Sequence, residues 1–126
     1  LPAQVAGATE NIRVRSVIGR FLEHTRVFYF RSGTREDLYL SSADWMNRNM
    51  LRRVELAWPV TDKKLRQRII DECLVAYLHD NRDAWSLESD GSYSRAPHVL
   101  DGAGAQNALM ARYAPVAAPM PRKESA

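Results

Sequence analysis

Apolar and polar residues alternate through "IRVRSVI" (residues 12–18), the period of a half-buried strand. Gly19 ends that run, and "RFLE" forms a short link. The β-branched and aromatic stretch from Thr25 to Phe30 predicts a second strand. "RSGTRED" (31–37) reads as a hairpin turn, with "LYLSS" (38–42) as the returning strand. "DWMNRN" (44–49) predicts one short turn of helix, and "RRVELAWPV" (52–60) a further strand closed by Pro59. The clearest helix follows, capped by Thr61 or Asp62, with Leu65, Ile69, Cys73 and Tyr77 at helical spacing and Ile70, Leu74 and Leu78 widening the stripe. That stripe is expected to be a core face, with Cys73 a small buried hydrophobe. A short extended piece at Trp85–Leu87, a turn at 89–93 and a last helix from Gln106 to Tyr113 complete the pattern. Residues 1–9 read as a loop. The segment from Ala114, "APVAAPMPRKESA", has three prolines and no period, the composition of a frayed tail. The fold class these elements predict is α/β, a mixed β-sheet flanked by helices over residues 1–113, with a flexible tail at 114–126.

The chain has 126 residues, enough for one domain with a core, and its 45% apolar content is ordinary for a globular protein. No apolar run reaches the 18 or so residues that would read as a membrane span. The opening "LPAQVAGATE" lacks both an initiator methionine and a signal pattern, so a piece of a longer polypeptide is expected, incomplete at the N-terminus. The lone Cys73 cannot form an internal disulfide, which fits a reducing compartment. Charge is uneven. Fifteen of the 18 basic residues are arginine, and between Ile12 and Arg53 nine arginines face four acids. From Val54 onward nine bases meet ten acids, so an anionic partner belongs to the first half. The planar guanidinium fork suits phosphate oxygens better than the point charge of lysine.

Within that half, His24 and Arg26 stand two apart at the start of the apolar, aromatic run, and in a strand they would share one face. "SSAD" (41–44) brings hydroxyls and a carboxylate to the end of the next strand. An imidazole beside guanidinium groups suits phosphoryl transfer: the ring can be nucleophile or acid/base, and the arginine can stabilise charge on the equatorial oxygens. His79 is expected at a helix C-terminus, where a cation is favoured, and His98 in a loop after a proline. Neither shows metal-ligand spacing, and no Gly-rich phosphate loop is present, so no protein-held metal site is expected. Plainer roles compete at several positions. Arg53 could pair with Glu55 along its strand face, Asp44 could cap the following turn, and Trp45, Trp58 and Trp85 are expected in the core.

Taken together, "IRVRSVIGRFLEHTRVFYF", "YLSSADWMNRN" and "RRVE", with "DNRDAWSLESDGSYSR" (80–95), resemble the C-terminal catalytic domain of the long bacterial polyphosphate kinases. The resemblance runs from about Glu10 to about Arg95. It implies a phospholipase D-like fold, in which two related α/β halves each supply one histidine. Against the wider His-x-Lys-x4-Asp and Gly-Ser-x-Asn pattern, Arg26 stands in the lysine position, Arg31 in the aspartate position, and "SSAD" replaces the Gly-Ser element. The loss of that aspartate counts against a phosphodiesterase and agrees with the kinase branch. The resemblance implies reversible transfer of the terminal phosphate of ATP to polyphosphate through a phosphohistidine carried by the preceding half, with Mg2+ whose ligands lie outside this chain. His24 then matches the second histidine and Arg53 an arginine that contacts nucleotide phosphates, while Arg26 and Asn49 line the site. Implied partners are ATP, ADP, inorganic polyphosphate, upstream domains of the parent polypeptide and further copies of it, with no nucleic acid. Location would be cytoplasmic, at most peripheral to the inner membrane. The alternatives are a phospholipase D-like phosphodiesterase completed by dimerisation and a non-catalytic polyanion-binding module.

Overall fold

The computed structural model describes residues 2–95, 102 and 104–114. Instead of one mixed sheet, the described residues form two separate three-stranded sheets, each wholly antiparallel. The first joins β1 (Arg15–Val17), β5 (Ala84–Leu87) and β6 (Tyr93–Arg95) in the order β1-β5-β6. The second joins β2 (Val27–Ser32), β3 (Arg35–Ser41) and β4 (Ala57–Pro59) in chain order. The class remains α/β, with helices α1 (Asn47–Arg52), α2 (Lys63–Ile69), α3 (Ala76–Leu78) and α4 (Ala105–Tyr113).

The β2–β3 hairpin is longer and tighter than the sequence suggested. Ser32 pairs with Arg35, leaving Gly33 and Thr34 as a two-residue loop. Gly33 takes φ +60, at the first loop position that type II′ hairpins give to glycine. The polar and charged residues 31, 32 and 35–37, assigned to the turn by composition, are strand instead, and solvent on their exposed faces tolerates them. Leu38, 2% exposed, is the largest fully buried apolar side chain among the described residues.

The strand expected over 52–60 is only Ala57–Pro59. The main-chain oxygen of Met46 accepts from both Asn49 and Met50, which carries helix α1 on to Arg52. Arg53 then turns extended. The long helix begins at Asp62, as expected, with its carboxylate accepting from the Leu65 N–H at 2.9 Å. Between α2 and α3, residues Ile70–Val75 are π-helical, and Ala76 N–H bonds the Asp71 carbonyl five residues back. Those wider turns break the 3.6-residue period on which the apolar stripe was drawn. The expected core face is accordingly incomplete: Leu65 and Leu78 are exposed, while Ile69, Ile70, Cys73, Leu74 and Tyr77 are half-buried. Burial raises the Cys73 thiol above its usual pKa, so it stays protonated. The tryptophans depart further from expectation, with Trp45 and Trp58 exposed and Trp85 half-buried. His98 and residues 115–126 lie outside the described residues.

One buried carboxylate joins β1 to the start of α4. Asp80 is 1% exposed. Its Oδ1 accepts from Arg82 N–H at 3.0 Å and Asp83 N–H at 2.7 Å, and its Oδ2 from Ala105 N–H, also at 2.7 Å. The Asp80 carbonyl takes Arg15 Nη2 at 2.5 Å, and Arg15 Nη1 bonds the Leu78 carbonyl at the end of α3. β1, the end of α3, the entry to β5 and the start of α4 thus meet at one residue. Burial pushes the Asp80 carboxyl up, but the surrounding backbone N–H donors outweigh it and hold the group below the ordinary carboxylate range.

A depressed folded-state pKa contributes stability above the ordinary carboxyl pKa and loses it as pH falls through the folded value. Asp80→Asn turns one acceptor into a donor facing the Ala105 N–H. It is expected to cost about 2–3 kcal/mol near neutral pH and to flatten the acid limb of the stability curve, both read by urea unfolding across pH. An unchanged midpoint and acid limb would contradict this role.

Candidate active site

The residues ahead of β2 carry the first part of the site. His24 lies in an irregular, exposed segment before the strand begins at Val27. The shared strand face expected for His24 and Arg26 is therefore absent, and a different device couples them. Arg26 donates through Nε to Asp44 Oδ1 at 2.7 Å and through Nη1 to the His24 carbonyl at 2.9 Å. A single planar fork thus ties the backbone of the histidine to a carboxylate beyond the next strand. The Ser41 N–H bonds the Arg26 carbonyl at 3.0 Å, extending the β2–β3 ladder to the residue that holds the fork. The His24 imidazole makes no hydrogen bond among the described residues and stays open to solvent.

Asp44 is a bridge instead of a cap. Its side chain is engaged by Arg26, and α1 begins beyond it at Met46 with no side-chain cap. The Arg26 hydrogen bond holds the Asp44 carboxyl below its usual range, against the effect of burial, with the charges of His24 and Arg48 adding to the same direction. Asn49 packs against Asp44, its Nδ2 lying 3.4 Å from the Asp44 carbonyl and 3.5 Å from Oδ2. Asn49 is 2% exposed, yet among the described residues its Oδ1 has no hydrogen-bond partner. An unfilled buried acceptor is costly.

Asn49 and Arg53 meet at a hollow of about 290 Å³ beside α1, lined also by Ser41, Trp45 and Glu55. The pairing of Arg53 with Glu55 considered from sequence does not form among the described residues. Glu55 Oε2 takes the Ser42 hydroxyl at 2.5 Å instead, and Arg53 is left exposed at the end of α1. Trp45 lies on the rim, its ring centroid 5.3 Å from that of Phe28. Of the four candidate residues, hydrogen bonds link the His24 main chain and Arg26 through Asp44 to Asn49, and Arg53 joins them by lining the same hollow as Asn49, which neither His24 nor Arg26 lines. Asp44 and Ser42 are the members whose roles sequence reasoning missed. "SSAD" marked the place, but not that the carboxylate would face Arg26 and the hydroxyl Glu55. Chemically, an open imidazole and an exposed guanidinium can engage a phosphorylated ligand.

Among the described residues no group of three His, Cys, Asp or Glu side chains converges as a metal site, and no helix is long and apolar enough to cross a membrane. Arg31, in the position the phosphodiesterase pattern gives to aspartate, is exposed and faces Glu36 across the hairpin.

Residues 1–107 match the model of the family described as polyphosphate kinase C-terminal domain 2. The polyphosphate kinase of Paraburkholderia phytofirmans is 51% identical over 109 residues, covering 86% of this chain and 16% of that protein. That of Burkholderia vietnamiensis is 50% identical over the same length. The crystal structure of polyphosphate kinase from Porphyromonas gingivalis superposes with a TM-score of 0.74 at 39% identity, covering 82% of this chain and 16% of the other. The chain therefore spans 16% of the length of the relatives it matches.

Replacing the fork tests the coupling directly. Arg26→Lys cannot serve Asp44 and the His24 carbonyl with the same geometry. The Asp44 midpoint is expected to rise toward the ordinary carboxyl value, followed by NMR titration of its side-chain carbon. An unmoved midpoint would contradict the coupling.

Proposed function

We infer the function of this chain from one premise: it belongs to the polyphosphate kinase C-terminal domain 2 family. The reading is that it supplies one half of the site of an ATP:polyphosphate phosphotransferase. The observation that carries it is the hydrogen-bonded link from the His24 main chain through Arg26 and Asp44 to Asn49, with Arg53 lining the same hollow as Asn49, a set that combines the residue types that phosphoryl transfer uses.

In the proposed reaction the bond between the terminal phosphorus of ATP and its bridging oxygen breaks, and ADP leaves. The phosphoryl group passes to an imidazole nitrogen contributed from outside this chain. The terminal oxygen of a polyphosphate then attacks phosphorus, the P–N bond breaks, and the polymer is one phosphate longer; the reverse sequence regenerates ATP. His24, as the second histidine, stabilises charge on the transferring oxygens or moves a proton at the oxygen that leaves or attacks. Arg53 binds nucleotide phosphates at the hollow, which Asn49 helps to line. Arg26 holds the His24 main chain while its charge adds to the phosphate-binding field. Mg2+ enters as part of the nucleotide substrate, with ligands outside this chain. The proposed architecture is one phospholipase D-like half facing another, over residues 1–113, with 114–126 as a flexible tail. The remaining polypeptide supplies the first histidine and most of the nucleotide site. On this reading the protein works in the cytoplasm, peripheral at most to the inner membrane, as a homo-oligomer.

One observation favours a second reading. Arg48 and Arg52 on the short helix α1 and Arg53 just beyond it are all exposed, as a polyanion-binding module would need. Its binding would fall steeply with salt and would survive loss of His24.

Both readings are separated by seating this chain in place of the segment it matches in the Paraburkholderia phytofirmans enzyme and measuring polyphosphate synthesis from ATP. The assembly is expected to make polymer, and His24→Ala, with unchanged melting, to lose at least about a hundredfold in rate. A folded His24→Ala protein at normal rate would overturn the assignment. An inactive but folded wild-type assembly would move the binding module to the front.

A further inference from the structure

Residues 19–25 carry the chain to His24 without joining a strand or a helix. A chain in that state needs outside partners for its main-chain groups, and one side chain provides them from 85 positions away. Gln106 accepts the Phe21 N–H at Oε1, 2.9 Å, and donates from Nε2 to the Phe21 carbonyl, also 2.9 Å. Its carboxamide pairs with both main-chain groups of Phe21 as a neighbouring strand would. The same Nε2 donates to Glu23 Oε1 at 2.8 Å, and Glu23 Oε1 also accepts the Tyr77 hydroxyl at 2.6 Å. Burial, with the Glu23 hydrogen bond second, drives the Tyr77 hydroxyl well above its usual pKa, so it remains a donor.

The clamp is closely fitted. Gln106 is only 7% exposed, and a Cβ on Gly19 would stand 2.3 Å from Oε1 and 2.5 Å from Cδ. Gln106 is also fixed from behind, because the preceding Ala105 N–H is held by Asp80. His24 is therefore held on both sides. Upstream stand Phe21 and Glu23 on Gln106; downstream, its own carbonyl rests on Arg26.

We propose that Gln106 is a positioning residue for His24, with Gly19 the empty space that lets its carboxamide reach the chain. The proposal rests on the reading above that His24 works in phosphoryl transfer. Gln106 touches no reacting atom; it sets where the histidine stands, and small misplacements of a reacting group cost rate out of proportion to their effect on binding.

The test places Gln106→Met and, separately, Gly19→Ala in the full chain seated in the Paraburkholderia phytofirmans enzyme. Each is expected to lower kcat at least about tenfold while KM for ATP stays within about threefold. In the His24→Ala background each is expected to change the residual rate by less than about twofold, because groups acting through one residue are not additive. Variants that fold and keep kcat, or that cost as much without His24 as with it, would overturn the proposal. Should neither variant fold, hydrogen exchange in the unsubstituted chain decides. The Phe21 N–H is expected to be protected beside freely exchanging Leu22 and Glu23, and an unprotected Phe21 amide would overturn the clamp alone. A wild-type assembly that folds and makes no polymer would instead bring down the functional reading, and the catalytic meaning of the clamp with it.

Discussion

A buried, ionised carboxylate at Asp80 is the constraint on which the rest of this small structure hangs. Leaving it unpaired would be costly, so the chain surrounds it with donors from Arg82, Asp83 and Ala105. Satisfying that charge fixes the start of β5, and with it the pairing to β1. It also fixes the first turn of α4, which lies far along the sequence. Arg15 closes the arrangement from β1 by reaching the carbonyls of Leu78 and Asp80. Among the described residues the buried apolar ones are Ala3, Leu38, Ala43, Ala84 and Ala105, mostly small, so polar contacts carry an unusual share of the tertiary order.

The candidate site inherits its geometry from these contacts. Once α4 is set, Gln106 faces the segment before His24; once β2 and β3 are paired, Arg26 faces Asp44. The histidine stands between two anchors, with its ring unengaged. Arg26 and Arg15 are committed to internal partners, whereas Arg48, Arg52 and Arg53 remain exposed, Arg53 at the hollow. The local excess of arginine thus divides into guanidinium groups that build the site and groups free to meet a ligand. Large apolar side chains also stand exposed, Leu51 at 79% and Val54 at 97% among them, around the same short helix.

What the sequence disclosed follows its local physics. The hairpin, the Asp62 cap, the β5 strand and the last helix rest on turn chemistry, capping and β-propensity, all of which act over a few residues. The single mixed sheet was misjudged because alternation marks a strand but not its neighbour, and here two short antiparallel sheets satisfy the same alternation. The core stripe was misjudged because π-type turns shift the helical period, a change no 3.6-residue template registers. At the site, residue types were legible and contacts were not. "LEHTR" and "SSAD" announced His24, Arg26 and Asp44, while the fork that joins them depends on β2–β3 register. Gln106 left no sequence signal, since its partners lie across the fold.

The most direct test of the central claim, that this chain carries a specific phosphate site around His24 and Arg53, is an NMR titration of the full chain with inorganic tripolyphosphate. The His24 ring and the arginine side-chain N–H resonances would be followed together at two salt concentrations. The account predicts saturable shifts at His24 and Arg53, with Arg31 and Arg35 on the hairpin unmoved. Uniform, salt-sensitive shifts across all the exposed arginines, with His24 silent, would contradict it.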